Sequence, residues 1–517
     1  MLEGKGRRNV VNNVSFSRRP AIVLVVVCCL AFGPLRTTGV AAAQPPNISR
    51  ASFPDGFVFG TASSAYQYEG AVKEDGRGPS IWDTFAHTFG KIVDFSNADV
   101  ALDQYHRYEE DVKLMSDMGM DAYRFSISWP RIFPNGNGEI NQAGVDHYNK
   151  LINALLAKGI KPYVTLYHWD LPQALEDRYN GWLSPQIIND FAAYAETCFQ
   201  KFGDRVDHWI TINEPHTISV QGYDVGLQAP GRCSIFPRFI CKAGNSSTEP
   251  YIVAHNLILA HATATDIYKR KYQPNQQGKI AISLDSFWYE PLTNSAQDIE
   301  ARQVTLDFKL GWFLEPLIKG DYPSSMKSRV GDRLPQFSAA QSALVKGSYD
   351  FIGVNHYTTW YASKNKTNIL EMLLHDFIAD AGSLTLPFKG LTPIADKASS
   401  IWLYIVPHGM RSLMNYIKDY YGNPLVMITE NGMDDAKGDG LKDDKRIKYH
   451  NDYLTNLLDA IKDGCNVKGY FAWSLLDNWE WSAGFSSRFG LYYVDYKHNL
   501  TRIPKDSVNW FKNFLHA

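Results

Sequence analysis

Two glutamates stand at the ends of short apolar runs. Glu430 follows Leu425-Val426-Met427-Ile428-Thr429, and Glu214 follows Trp209-Ile210-Thr211-Ile212-Asn213. Such runs are built to be buried, so a carboxyl at the end of one is delivered to the rim of a core, where an unpaired charge is costly. Other polar residues occupy the same kind of position. Gln67 lies in the loop after Phe57–Thr61, Arg124 lies within Ala122–Ser126, and His168-Trp169-Asp170 ends Pro162–Tyr167. Asn355-His356-Tyr357 ends Phe351–Val354, Trp473 ends Gly469–Trp473, and the loop beyond brings Glu480-Trp481. Two carboxyls, several amide and imidazole groups and indole platforms together suit a sugar ring, whose hydroxyls need paired polar partners and whose C–H face packs on an aromatic. Two carboxyls also suit glycoside hydrolysis, where one protonates the leaving oxygen and the other attacks the anomeric carbon or activates water. A zinc site is disfavoured, because His168 and Asp170 lack a second histidine at helical spacing and no zinc-type cysteine cluster occurs. No G-x-S-x-G elbow supports a serine nucleophile.

The elements that must hold these residues form a repeating pattern. The apolar runs named above, with Ile280–Leu284, make eight. Between them lie segments of 3.6-residue periodicity: Tyr105–Met118, Ala143–Lys158, Pro185–Phe202, Pro250–Tyr272, Val406–Tyr421 and Lys445–Asp463. Buried strands alternating with helices predict a single α/β domain, a (β/α)₈ barrel, with its chemistry at the carboxyl ends of the strands. A doubly wound sheet would carry a glycine-rich nucleotide turn after an early strand, and none is found. The stretches 222–249, 320–345 and 360–400 are expected to be long loops over one barrel face.

Thr211-Ile212-Asn213-Glu214-Pro215 and Ile428-Thr429-Glu430-Asn431-Gly432 closely resemble the paired signatures of glycoside hydrolase family 1, most of all its plant β-glucosidases. Supporting stretches are Tyr123–Arg131, Tyr167–Asp170 and Trp473–Trp481, and the likeness runs from about Phe53 to Phe514. The resemblance implies a retaining double displacement with Glu430 as nucleophile and Glu214 as acid/base, the two carboxyls about 5–5.5 Å apart. It implies that Glu214 rests protonated and Glu430 ionised, with Arg124 holding the charge of Glu430 and Tyr357 bonding to it. Gln67, His168, Asn213, Asn355, Glu480 and Trp481 become glucose ligands, with Trp473 as the stacking floor. Phe489 walls that end, and Trp402 stacks on the aglycone. No metal or organic cofactor is implied. Thioglucosidases of the family carry Gln at the Glu214 position, and 6-phosphoglycosidases replace the Glu480-Trp481 pair, so a neutral O-glucoside is favoured. Transfer to an acceptor hydroxyl could use the same two glutamates, which product analysis would reveal. A silent sugar-binding protein would lack a glutamate or Arg124, and all three are present.

The remaining features concern destination. Basic residues Lys5 to Arg19, an apolar run Ala21–Phe32 and Ala41-Ala42-Ala43 read as a secretory signal removed after residue 43, leaving residues 44–517 as the catalytic domain. The apolar run is short of the roughly 20 residues that span a bilayer. An extracellular, cell-wall or vacuolar destination follows. Cys233 and Cys241, close together between glycines, suit a short-loop disulfide, while Cys198 and Cys465 read as lone thiols. Asn47, Asn245, Asn365 and Asn499 head glycosylation sequons. A formal net charge of −2 gives no reason to expect nucleic acid or an anionic membrane as a partner of the mature chain. The resemblance implies a small-molecule or oligosaccharide β-glucoside as the partner.

Overall fold

The computed structural model describes residues 48–234, 241–365, 377–436 and 438–517. The expected signal segment, its cleavage site and the Asn47 sequon lie outside the described residues.

Eight parallel strands close into a barrel: β1 Val58–Ala62, β2 Ala122–Ser126, β3 Lys161–Tyr167, β4 His208–Asn213, β5 Lys279–Asp285, β6 Phe351–Asn355, β7 Val426–Asn431 and β8 Val467–Ala472. Each pairs with its neighbours in sequence, and β8 closes on β1 through Val58↔Gly469 to Thr61↔Ala472. The runs are apolar without alternation because both faces are covered: β2 is buried at all five positions and β7 at all six.

Helices return the chain: α1 Gln104–Met118, α2 Gln142–Ala157, α3 Gln186–Phe202, α4 Glu249–Ile267, α5 Ala296–Leu306, α6 Trp312–Lys319, α7 His408–Tyr421, α8 Asp444–Lys462 and α9 Asp506–His516. In α2 the stripe Val145, Tyr148, Leu151, Ile152 and Leu155 is buried, as its spacing requires. Burying one such side chain is worth about 1.5–3 kcal/mol. Helix α1 stops at Gly119, whose φ of +83° suits a residue without a Cβ.

Three departures from the sequence reading matter for the rim. Gln67 sits in a one-turn helix, Ala65–Tyr68, not in open loop. The described part of the stretch 360–400 holds regular structure: Thr359–Lys364 pairs with Trp288–Pro291 and with Ser383–Leu386 in a small sheet. Its partner Trp288–Pro291 comes from a distant loop, so local pattern could not reveal it. The stretch 320–345 connects α6 to the amino end of β6 and contains two helices, Ser324–Val330 and Ala339–Val345. Its helix Ser324–Val330 lies against Phe377–Ala381, and its Arg333 bonds Ser247 O at 2.9 Å and pairs with Asp380.

The disulfide Cys233–Cys241 is formed, and Cys198 and Cys465 are free. Asn245 and Asn499 are exposed and Asn365 is half-buried. No helix among the described residues is long and apolar enough to cross a membrane.

Candidate active site

Both glutamates arrive at the carboxyl rim from strands whose pairing breaks just before them. The β4–β5 register shifts between Ile210 and Asn213, and β7 shifts against β6 between Ile428 and Glu430. Such irregularities bend a strand and re-aim its side chains. Glu214 also adopts left-handed backbone, φ +49° and ψ +62°, as it turns into a helix that begins at Pro215. That conformation is costly for a residue with a Cβ and persists only where the surroundings enforce it.

Glu430 is gripped at both oxygens. The guanidinium of Arg124, fully buried in β2, donates through Nη1 to Oε1, and the Tyr357 hydroxyl donates to Oε2 at 2.7 Å. Arg124 Nη2 donates to Asn213 Oδ1 at 2.6 Å. A guanidinium only donates, so the atom of Asn213 facing it is oxygen. Asn213 Nδ2 therefore donates a hydrogen bond to His168 Nε2 at 3.0 Å, which places the ring proton of a neutral His168 on Nδ1. Burial, with Arg124 nearby, holds His168 well below its ordinary value, so the ring is neutral.

Glu214 meets different company. Its Oε1 accepts from Asn355 Nδ2 at 2.8 Å, and it forms no ion pair with any described residue. Burial pushes its carboxyl well above the usual range, and the charges of Asp285 and Glu430 push it further. Burial also raises Glu430, but there Arg124 and the Tyr357 hydroxyl pull back. The two carboxyls are thus held unequally: Glu214 favours its proton more strongly than Glu430 does.

The remaining residues gather around this pair. Trp473 Nε1 donates to Glu480 Oε1 and Gln67 Nε2 to Glu480 Oε2, both at 3.3 Å. Gln67 is itself fixed by Asn478 Oδ1 at 2.8 Å and by Ser64 Oγ, which donates to its Oε1 at 2.7 Å. Burial lifts Glu480 to about 8. The His168 ring lies nearly parallel to both Trp473, 6.0 Å away, and Trp481, 5.9 Å away. Phe489 is buried and meets Tyr357 edge-on at 6.0 Å. Trp402 is half-buried and meets Tyr357 edge-on at 5.8 Å.

Gln67, Arg124, His168, Asn213, Asn355, Tyr357 and Glu480 gather around the two glutamates, whereas Asp170 faces Ser128, Arg77 and Glu69, and His356 Nδ1 lies 2.9 Å from Ser286 O behind the strand. Sequence reasoning missed the contribution of β5. Asp285 ends that strand just as Glu430 ends β7, and the signal was the same acidic residue after an apolar run. Phe287, whose ring is parallel to Trp402 at 5.9 Å, was also missed. An apolar residue in a loop carries no chemical signature of its own.

The loops after β7 and β8 are tied together by a buried charge network. Arg446 of α8 pairs with Asp435 and Asp443, Arg488 pairs with Asp477 at 2.8 Å, and Lys505 reaches both Asp435 and Asp477 at 3.1 and 2.9 Å.

Comparison with known proteins gives this arrangement its context. The sequence profile of Glycosyl hydrolase family 1 matches residues 49–517. Beta-glucosidase 40 of Arabidopsis thaliana is 72% identical over 91% of this chain and 94% of its own. Beta-glucosidase 6 of Oryza sativa subsp. japonica is 66% identical over 95% and 96%. A rice β-glucosidase mutant, solved in a covalent complex with Glc, superposes with a TM-score of 0.90 at 67% identity, over 91% of this chain and 100% of that one. With its barrel, its two rim glutamates and these matches along nearly its whole length, the chain belongs to glycosyl hydrolase family 1.

Proposed function

We propose that the protein is a retaining β-glucosidase in which Glu430 is the nucleophile and Glu214 the acid/base. The observation that carries the assignment is the unequal treatment of the two carboxyls. Glu430 has a cation on one oxygen and a hydroxyl donor on the other, which favours an anion ready to attack. Glu214 has only the neutral Asn355 amide, which leaves it a protonated acid able to give its proton to the departing oxygen. The covalent glucose adduct of the rice relative supports a double displacement.

In the first half-reaction Glu430 attacks the anomeric carbon while Glu214 protonates the aglycone oxygen. In the second, the ionised Glu214 takes a proton from water, which then attacks the same carbon and frees Glu430. Gln67, His168, Asn213, Asn355, Glu480 and Trp481 hold the glucose, over Trp473 and against Phe489. Trp402 faces the aglycone. The reading of residues 1–43 as a removed secretory signal belongs to the same proposal. It is supported by the Cys233–Cys241 bridge and the exposed sequons at Asn245 and Asn499.

The roles separate in two variants. Glu430→Gly loses hydrolysis but couples glucose from an α-glucosyl fluoride donor. Glu214→Ala slows alkyl glucosides by about 10²–10⁴-fold, affects activated aryl glucosides less, and yields β-glucosyl azide when azide is added. An α-azide from Glu214→Ala would overturn the assignment.

A further inference from the structure

The acidic residue at the end of β5 has a partner set unlike any other on the rim. Asp285 Oδ2 accepts from the ammonium of Lys309 and from Thr217 Oγ1 at 3.1 Å. The same Lys309 Nζ donates to His216 Nδ1 at 2.9 Å. Lys309 comes from Asp307–Gly311, a single widened turn between α5 and α6, a type of distortion that recurs at functional sites. His216 and Thr217 are the second and third residues after Glu214, so two consecutive side chains behind the strained glutamate are tied to one ion pair. From the other side, Glu214 N donates to Ser283 O of β5 at 2.9 Å. The left-handed backbone of Glu214 is therefore held at both ends by β5 and its attachments.

The pair is nearly buried, with Asp285 12% and Lys309 13% exposed. A buried ion pair is a poor source of net stability compared with apolar packing. Its presence here calls for a role in position or charge, and the groups facing Glu214 define that role. They are Asp285 on β5, Glu430 on β7, Tyr357 after β6, Lys309 from the widened turn and His216 on the following helix, with Asn355 as the neutral donor. Burial works against the Asp285 charge, yet Lys309 and His216 hold its carboxyl below the ordinary value, so it stays an anion through neutral pH. Burial and Lys309 push His216 down to about 3, so that ring is neutral over the same range.

We propose that the Asp285–Lys309 pair is a positioning device for the acid/base carboxyl: through Thr217 and His216 it clamps the backbone behind Glu214, and as a fixed anion it sets the alkaline limit of turnover. The inference rests on Glu214 being the acid/base. Asp285 neither touches the sugar nor exchanges its proton; it acts through Glu214.

The test is the pH dependence of kcat/KM on an alkyl β-glucoside, whose leaving group needs the proton of Glu214. Asp285→Asn removes the anion and leaves Lys309, so the alkaline limb moves down by about half to one pH unit. Asp285→Asn/Lys309→Met removes the pair as a unit. Its limb falls between those of the single variant and the wild type, and it carries the test if the single variant does not fold. A limb coincident with wild type, or displaced upward, in the folded variant overturns the proposal even if activity is lower throughout. Glu214→Ala with azide separates the two levels. Failure to form β-glucosyl azide discards the underlying assignment, whereas its formation alongside an unmoved Asp285→Asn limb discards only the role given to the Asp285–Lys309 pair.

Discussion

Asn355 links the surroundings of the two carboxyls: its Nδ2 donates to Glu214 Oε1 at 2.8 Å, and its Oδ1 accepts from Thr429 Oγ1, one residue before Glu430, at 2.6 Å. Asn355→Ala leaves both partners unsatisfied and removes a donor that favours the charged form of Glu214. The expected result is a loss of about 10- to 100-fold in kcat/KM, or about 1.4–2.7 kcal/mol of barrier, with the alkaline limb displaced upward. A pH profile on an alkyl glucoside measures both.

Arg124 serves two acceptors on one rigid fork, Glu430 Oε1 and Asn213 Oδ1. Lysine offers a point charge without that fork, so Arg124→Lys should lose at least about 100-fold in kcat/KM, more than an exchange of like charges suggests. Arg124→Met leaves Glu430 buried without its cation, and the cost is about 3–5 kcal/mol of stability near neutral pH. Urea unfolding monitored by tryptophan fluorescence would read that loss.

Glu480 supplies a stability test with a defined sign. Burial raises its carboxyl from the ordinary 4.5 to about 8, so the folded state keeps a proton that the unfolded state has released. Its contribution is fully present below about 4.5 and is lost as pH rises toward 8. Glu480→Gln cannot lose a proton, so its thermal midpoint should gain on the wild type across that window. A scan of both proteins from pH 4 to 9 checks this, and the same variant should bind glucose more weakly.

The Cys233–Cys241 bridge closes a short loop, so its removal costs about 2–3 kcal/mol on the chain-entropy account. The side-chain hydrogen bonds of the two rim glutamates described above run to Arg124, Tyr357 and Asn355, not to the bridge. Cys233→Ser/Cys241→Ser should therefore lower the thermal midpoint while keeping kcat on an aryl β-glucoside within about threefold of wild type. Calorimetry and initial rates decide it.

The residues that a strand must aim were legible because burial on both faces leaves a polar side chain conspicuous. Arg124, Asn213, Glu214, Asn355 and Glu430 each interrupt or end an apolar run, and each lies on the rim. What escaped was set by distant partners. The sheet joining Trp288–Pro291 to Thr359–Lys364 needs two loops to meet, and neither strand announces the other. Asp285 stood in plain view, but its meaning depends on Lys309, whose place is set by a widened helical turn with no sequence signature. The unequal protonation of Glu214 and Glu430 was expected from the family resemblance, and the fold supplies its cause in burial and neighbouring charge.

The charge network behind the rim carries a last consequence. Asp435 follows the strand of Glu430, Asp477 belongs to the loop of Trp473 and Glu480, and Lys505 stands just before α9, yet the three meet in one buried knot. Such a knot does not open one strand at a time. The sugar floor and the final helix should then exchange their amide hydrogens in a single sub-global opening, so that fraying of the last helix and loss of glucose recognition become the same event.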